Sequence, residues 1–439
     1  MTPLHVLAHG VGSRGTLPLP LWQFAWAATA ALVLSFVALA VLWKYPRLGP
    51  RAAGRPVPGS AGPMRLLTWA ARLTGLLLFG LTLGAALFGA DVPGESTNLA
   101  PVTIYVTLWV GVPFAAAILG DVWRAFNPFR TIGLLFPEGK GTAPNHHWWA
   151  TATLFGFLFV ELVHPNGASP RVLGWAMVVY SVLMLGGMAR HGRQWLDSAD
   201  GFGVLFAMIG GIGIFTVDDE GRLRVRVPLS GLATVDAKRG SSALILVVLG
   251  GTSFDGFSES PIFWDIAGRA SGWEAAPALF IGLVIVILIA SILYWIGART
   301  TANVTGTNHE EAAELFAPSL IPIVFGYAVA HYVQLFVDQV QSFWFRLSNP
   351  YGVKNPDGTN VRDFFGAANG QVDFFVIDAD VVAWIQALGI VVGHVAGVLY
   401  AHDLAVSRYD HAKAARSQQT MLVVMVIYSV AGLWLLFSG

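Results

Sequence analysis

The stretch GYAVAHYVQLFVDQVQ, residues 326–341, is embedded in a strongly apolar part of the chain and decides how the fold is interpreted. It carries five polar side chains: Tyr327, His331, Gln334, Asp338 and Gln341. At about 100° per residue in an α-helix, these five fall within roughly 80° of one another. The stretch therefore predicts a helix that is apolar except for one polar stripe.

The composition is that of a membrane protein. Of the 439 residues, 55% are hydrophobic and 12% are charged, with a mean hydropathy of +0.62. Soluble domains carry about 25% charged residues, so the chain is predicted to cross a membrane several times. The absence of cysteine excludes disulfides, iron–sulfur clusters, covalently attached haem and thiolate chemistry. The net charge of zero gives no reason to expect nucleic-acid binding.

Ten apolar runs are long enough, or nearly so, for a crossing of about 20 residues. They lie near 21–43, 66–90, 100–120, 147–163, 171–189, 241–257, 274–297, 315–345, 377–404 and 418–438. Residues 200–215 are short and glycine-rich, and they form either an eleventh span or a re-entrant segment. The sequence thus predicts an all-α polytopic membrane helix bundle of about 10 (10–11) transmembrane helices.

Basic residues cluster in alternate connections, beginning with the connection that contains Lys44 and Arg47. Placing these connections in the cytoplasm requires that 200–215 does not cross, and it puts both termini outside. The result is two five-span halves of opposite orientation, residues 1–189 and 241–439, which is compatible with an inverted repeat. No cleavable signal peptide is predicted, since the N-terminus lacks a basic region.

The insert between the halves, residues 190–240, lies on the cytoplasmic side in this arrangement. Its segment DDEGRLRVRVPL, residues 218–229, alternates basic and apolar residues after a turn signal. This pattern predicts a small cytoplasmic β-hairpin. Residues 346–376, with SNPYG and KNPDG, are predicted to form an external loop.

Ionisable groups from the eighth and ninth spans are expected to converge. Asp338 lies toward the outer end of the eighth span, with His331 about two turns deeper, and Asp380 shares a helix face with His394 to within about 40°. The two antiparallel spans would let the histidines face each other near mid-membrane. Charges in hydrocarbon cost at least ~2.5–3.5 kcal/mol each, so these groups should face the protein interior or water. The other members of the stripe are predicted to line an outward-opening polar cavity: Tyr327, Gln334 and Gln341.

A second polar segment, GGTSFDGFSESP at residues 250–261, ends the sixth span on the same side. Its two glycines and its polar residues predict a broken helix that lines the cavity. Asp255 and Glu259, four residues apart, could hold a cation or act as an acid and a base. A capped helix end at the interface would explain the same residues.

Each constellation also has a structural interpretation. The stripe could serve only for interhelical hydrogen bonding, and His331 and His394 could be a metal or haem pair or two separately satisfied histidines. Glu161 with His164 is interpreted as an interfacial ion pair. His5 and His9, at helical spacing, could chelate a metal if that segment were helical. The sequence has no HExxH, GxSxG, P-loop or GxGxxG motif in a suitable context.

Four segments resemble bacterial integral-membrane fenitrothion hydrolases. They are LAHGVGSRGTLPLPLWQFAWAA (7–28), GGTSFDGFSES (250–260), FAPSLIPIVFGYAVAHYVQLF (316–336) and GHVAGVLYAHDLAV (393–406). The resemblance extends over the whole chain. It implies a multi-pass protein of the bacterial inner membrane that hydrolyses organophosphorus triesters and releases a nitrophenol from a thiophosphate.

Such a hydrolysis requires an activated water and an electrophile on the P=O or P=S group. A divalent ion, zinc or another first-row metal, could supply both. The expected metal ligands are His331, His394, Asp338 and Asp380. The expected catalytic carboxylates are Glu259, Asp255 and Asp338, with Glu259 as the first choice of general base. A small apolar aryl substrate would enter from the membrane lipid.

Two other classes remain open. An ion- or proton-coupled transporter of a small solute or metal would use Asp255, Glu259, Asp338 and His331 as coupling groups. A b-type haem protein would use His331 and His394 as axial ligands. The residues by themselves favour transport, whereas the resemblance places hydrolysis first.

Overall fold

The computed structural model describes residues 20–92, 97–136 and 143–437, so the predicted pair His5 and His9 lies outside the described residues. The main helices are α1 Leu21–Leu42, α2 Ala61–Phe88, α3 Leu99–Leu119, α4 Trp148–Leu162, α5 Pro170–His191, α6 Gly201–Gly210, α7 Ser241–Ser258, α8 Ala276–Thr305, α9 His309–Phe316, α10 Ile321–Ser348, α11 Ala379–Arg408 and α12 Gln419–Phe437. Shorter helical turns connect several of them.

The predicted all-α membrane bundle is confirmed. Within the described ranges, nine helices are long and apolar enough to cross a membrane, judged by length and composition. Helix α4, which corresponds to the predicted fourth span, has only 15 residues. It rises about 22 Å, which is less than the ~30 Å of a hydrocarbon core.

The doubtful segment 200–215 is not an eleventh full span. Helix α6 has 10 residues, nine of them buried. A helix of that length rises only about 15 Å, half the thickness of a hydrocarbon core. This segment is therefore a short helix buried in the protein interior.

The predicted β-hairpin is present, and it gains a third strand. Strands β2 Phe215–Val217 and β3 Leu223–Val225 pair antiparallel around the turn that contains Asp218. Strand β1, Arg55–Pro56, adds to the other side of β3. The insert is thus hydrogen-bonded to the connection between α1 and α2. Local sequence patterns do not predict this long-range pairing.

Helix α7 lies at the centre of the bundle. Fifteen of its eighteen residues are buried, as expected for a helix that is apolar on nearly every side. Helix α7 continues through Gly250 and Gly251, and the predicted break within residues 250–261 lies at Glu259–Ser260, before the short helix Pro261–Ala267. The glycines allow close packing instead: a Cβ on Gly250 would lie 2.7 Å from the Cα of Ile287, and one on Gly251 would lie 2.6 Å from Leu158.

Helices α10 and α11 cross at a seam of small residues. Gly389, Gly393 and Gly397 follow one another at four-residue spacing and face α10. A Cβ on Gly393 would lie 2.6 Å from the carbonyl oxygen of Pro322, and one on Gly397 would lie 2.8 Å from that of Ser319. Such small-residue seams let two membrane helices bring their backbones into contact.

Replacing Gly393 with valine is expected to destabilise the protein, because the obstructing atom belongs to the backbone of α10 and cannot rotate away. The loss should reach or exceed the roughly 1–3 kcal/mol that is typical of overpacking. Gly186→Val in α5 is the matched control, since nothing lies within 4 Å of a Cβ at that position. Melting temperatures in detergent provide the measurement, and equal values for both variants would contradict the packing argument.

Candidate functional site

A carboxylate and an imidazole meet in the interior of the bundle. Asp255, on α7, and His331, on α10, lie 2.8 Å apart between Oδ2 and Nε2. The hydroxyl of Tyr332 donates a second hydrogen bond to the same oxygen at 3.0 Å. Asp255 has no exposed surface, and His331 is 5% exposed. We call Asp255, His331 and Tyr332 the central triad.

Asp255 precedes His331 and Tyr332 by more than 70 positions in the sequence, and the packing of α7 against α10 brings them together. His331 and Tyr332 are consecutive, so their side chains leave α10 about 100° apart and approach Asp255 from two directions. The His331 and Tyr332 rings meet edge to face, with centroids 4.6 Å apart. Tyr327 lies one turn before His331, with its ring nearly parallel to the imidazole.

A carboxylate at the opposite end of α7 fixes the relation of the two helices. Glu314, on α9, accepts hydrogen bonds from the backbone N–H groups of Gly240 at 2.7 Å and Ser242 at 2.9 Å. These are unpaired donors of a helix start, where negative charge is also favourable. Since α9 leads into α10, this contact aligns the start of α7 with the start of α10. Asp255 then lies about 21 Å along α7 from Ser241.

Helix α3 supplies an outer partner. The Nε1–H of Trp109 donates to the Tyr332 hydroxyl at 3.5 Å, a long contact, and both side chains are buried. Trp109 belongs to Val102–Gly111, a ten-residue π-helical stretch. Such stretches are rare and occur frequently at functional sites.

Glu161, near the end of α4, adds a second acid to this region. It is 3% exposed, and its Oε2 has no hydrogen-bond partner among the described residues. Its charge would act on Asp255 and on Tyr332, so the three groups share one electrostatic environment. The predicted ion pair of Glu161 with His164 is not formed: His164 accepts from the N–H of Asn166 and contacts Trp273 instead.

The polar stripe of α10 divides into two parts. Tyr327 and His331 lie at the central triad, whereas the other three members lie toward the end of the helix. Asp338 accepts from Nε2 of Gln334 at 2.8 Å, and its other oxygen is buried without a hydrogen-bond partner in the described residues. Gln341 bonds to the backbone of Asp373 in the loop that follows α10.

The predicted metal ligands do not come together. In the part of the chain that the structure describes, no three His, Cys, Asp or Glu side chains are grouped so that they could hold one metal ion. Asp380 is exposed at the start of α11, next to the capping Asp378. His394 is buried, and its Nδ1–H donates to Ile390 O at 2.8 Å, which leaves Nε2 without a partner among the described residues.

His331 and His394, which were expected to face each other, therefore have different partners and make no contact with each other in the described residues. The Nε2 of His331, one of the two nitrogens that could bind a haem iron, is already paired with Asp255. Glu259, the first choice of general base, lies just past the end of α7 and is half-buried. Of the predicted carboxylates, Asp255 alone contacts a predicted histidine in the described residues.

Sequence reasoning missed two buried aspartates that organise the end of the bundle near α7's start. Asp200 accepts from Nδ2 of Asn127, from the hydroxyl of Tyr180, both at 2.6 Å, and from the N–H of Gly203. Asp403, which the sequence places only at the end of a span, accepts from Trp43 Nε1 at 2.7 Å. Except for the capping contact of Asp200 with Gly203, their partners are distant in sequence, so no local pattern could identify these networks.

Asp403 also accepts from the backbone N–H groups of Arg47 at 2.6 Å and Leu48 at 3.1 Å. Helix α11 is thereby fastened to the connection after α1. The donors of these hydrogen bonds to Asp200 and Asp403 are all neutral groups of the fold. Both aspartates are therefore interpreted as structural, in contrast to Asp255.

Comparison of the chain with protein families, with curated proteins and with solved structures gives no match. The site must therefore be interpreted from its own chemistry.

Replacing Asp200 with alanine is expected to lower the melting temperature clearly, since Asn127, Tyr180 and Gly203 would each lose an acceptor. Each buried donor left unpaired costs about 1–3 kcal/mol. Asp265→Ala is the control, because Asp265 and its partner Arg269 are both largely exposed, and such a surface ion pair is worth about 0–1 kcal/mol. If both variants melted together, the structural role of Asp200 would be refuted.

Proposed function

We propose that the protein is a proton-coupled membrane transporter in which Asp255 and His331 form the proton-binding pair. The observation that carries the proposal is the 2.8 Å contact between these two titratable groups inside a membrane bundle, with Asp255 wholly inaccessible to solvent. Intramembrane ionisable residues commonly mark ion pathways and proton relays.

Charge balance explains why such a pair couples proton binding to conformation. With Asp255 ionised and His331 protonated, the pair is neutral, and it is also neutral with the proton on the carboxyl group. Any other state leaves one uncompensated charge, which costs at least ~2.5–3.5 kcal/mol in this environment. A change of protonation must therefore accompany either exposure of the site to water or binding of a charged solute.

The enclosure of the pair also supports transport. Neither group reaches solvent appreciably in this conformation, so exchange of a proton requires movement of the helices around them. Alternating access involves an occluded state in which the site is closed to both sides of the membrane. Glu161 would add a second protonatable group, and Tyr332 would keep the Asp255 carboxylate oriented.

Hydrolysis of organophosphorus triesters is the second candidate, favoured by the sequence resemblance. Asp255 would orient His331, as carboxylates orient imidazoles in acid–base sites. Nδ1 of His331 would take the proton of an attacking water, since Nε2 is held by Asp255. The water oxygen would bond to phosphorus as the P–O bond to the nitrophenolate breaks. Metal assistance of this reaction stays a prediction. The expected ligands do not form a group of three or more in the described residues.

One experiment distinguishes the two functions. Proteoliposomes loaded with the pH-sensitive dye pyranine are mixed with divalent cations, amino acids and a nitrophenyl thiophosphate triester in turn. At least one solute gradient is expected to change the internal pH. Asp255→Asn and His331→Gln should reduce that change by about tenfold or more, since losing a buried charge partner costs more than about 1.4 kcal/mol.

Asp380→Asn is the matched control, because Asp380 is an exposed aspartate at the start of α11 and should leave the signal unchanged. Melting temperatures verify that each variant is folded. Transport that persists in Asp255→Asn would refute the proton-binding pair. Hydrolysis of the triester also liberates a proton with the diester product, so nitrophenol is measured separately by its absorbance; nitrophenol release without an internal pH change under the cation and amino-acid gradients would instead support hydrolysis.

A further inference from the structure

The loop between α10 and α11 exposes a compact apolar segment. Phe374, Phe375 and Val376 are followed closely by the start of α11, and Phe375 is 93% exposed. These side chains lie outside the spans, where soluble surfaces rarely expose neighbouring large apolar residues. We call residues 374–376 the loop anchor.

Two contacts fix the depth of this loop. Gln341 forms a pair of hydrogen bonds with the backbone of Asp373. Its Nε2 donates to the carbonyl oxygen of Asp373 at 2.9 Å, and the N–H of Asp373 donates to Oε1 of Gln341 at 3.1 Å. Gln341 lies seven residues before the end of α10, or about 10 Å short of it. Nearby, the Phe365 ring stacks on Trp344 with centroids 4.9 Å apart. The loop therefore folds back along the last turns of α10 instead of projecting away from it.

The seam between α10 and α11 relates this depth to the bilayer. Gly326 of α10 contacts α11 between Gly389 and Gly393. About twelve residues outward from this contact, α10 reaches Asp338 and α11 reaches Ala379, so these two residues lie at about the same depth. The apolar run of α11 begins at Val381, and a span of about 20 residues from there ends near the polar Asp403. The anchor, level with Gln341, thus lies within about 8 Å outside the hydrocarbon core, in the headgroup layer.

We propose that the loop anchor, Phe374, Phe375 and Val376, inserts into the headgroup–acyl boundary of the lipid bilayer. Aromatic side chains favour this layer, and apolar side chains beside a polar face bind there. A local hydrogen bond holds the backbone of the anchor, since the N–H of Phe375 donates to Asp373 Oδ1 at 2.9 Å. The exposed carboxylates of Asp373 and Asp378 flank the anchor and remain at the level of water and headgroups.

The absence of cysteine makes a direct test simple, since one introduced cysteine carries one nitroxide label. Phe375→Cys is labelled in full-length protein in phosphatidylcholine nanodiscs, and collision with oxygen and with a water-soluble nickel chelate is measured by electron paramagnetic resonance. The label at 375 is expected to collide readily with oxygen and poorly with the chelate. Val376→Cys is a second position that should behave alike.

Pro356→Cys, on an exposed turn of the same loop, is the control. Its label should collide readily with the chelate. If the labels at 375 and 356 were equally accessible to the chelate, the anchor would lie in water and the proposal would fail. Protection of the label at 375 from both reagents would also overturn it, because a protein surface, such as a second copy of the chain, would then cover the segment.

Discussion

A carboxyl group that is cut off from water inside a membrane must be neutralised or paired, and this constraint governs the bundle around Asp255. Pairing with His331 and the Tyr332 hydroxyl meets it. Because an unpaired charge there costs at least ~2.5–3.5 kcal/mol, α7 and α10 cannot drift apart without exposing the site or changing its protonation. The relative position of these two helices is thus coupled to the charge of the central triad.

Close helix packing makes that coupling possible. Gly250 and Gly251 let α7 approach its neighbours, and the glycine seam of α11 holds α10 from the other side. Helix α10 is therefore restrained on two faces, one apolar and tight, the other polar and titratable. In the proposed function, a change of protonation would act on the polar face, where an unpaired group is costly.

The polar contacts at the two ends of the bundle differ in kind. Near the start of α7, Glu314, Asp200 and Asp403 are used to hold helix ends and connections together. At the other end, Gln341 holds the loop that carries the exposed side chains of the loop anchor. One end is consolidated by internal hydrogen bonds, and the other carries the proposed lipid contact.

Features that depend on local pattern could be predicted from the order of the residues alone. Composition and runs of about 20 apolar residues identify a membrane bundle, the basic–apolar alternation after Asp218 identifies the hairpin, and the angular stripe identifies His331 as a residue of interest. Each of these follows from the period of one helix or strand, which neighbouring residues report. The glycine pair at 250–251 shows the limit, because glycine permits either a break or a close approach, and local sequence does not distinguish them.

The packing of the helices determines which polar groups meet, and local pattern does not report it. It paired His331 with Asp255 instead of with His394, added Tyr332 from outside the predicted stripe, and left Asp380 exposed at a helix start. It also turned α6 into a buried half-length helix and joined Arg55–Pro56 to the hairpin. Contacts between helices depend on their rotation and axial offset, which the whole bundle sets through packing, whereas the periodicity of a single segment fixes only which side chains share a face.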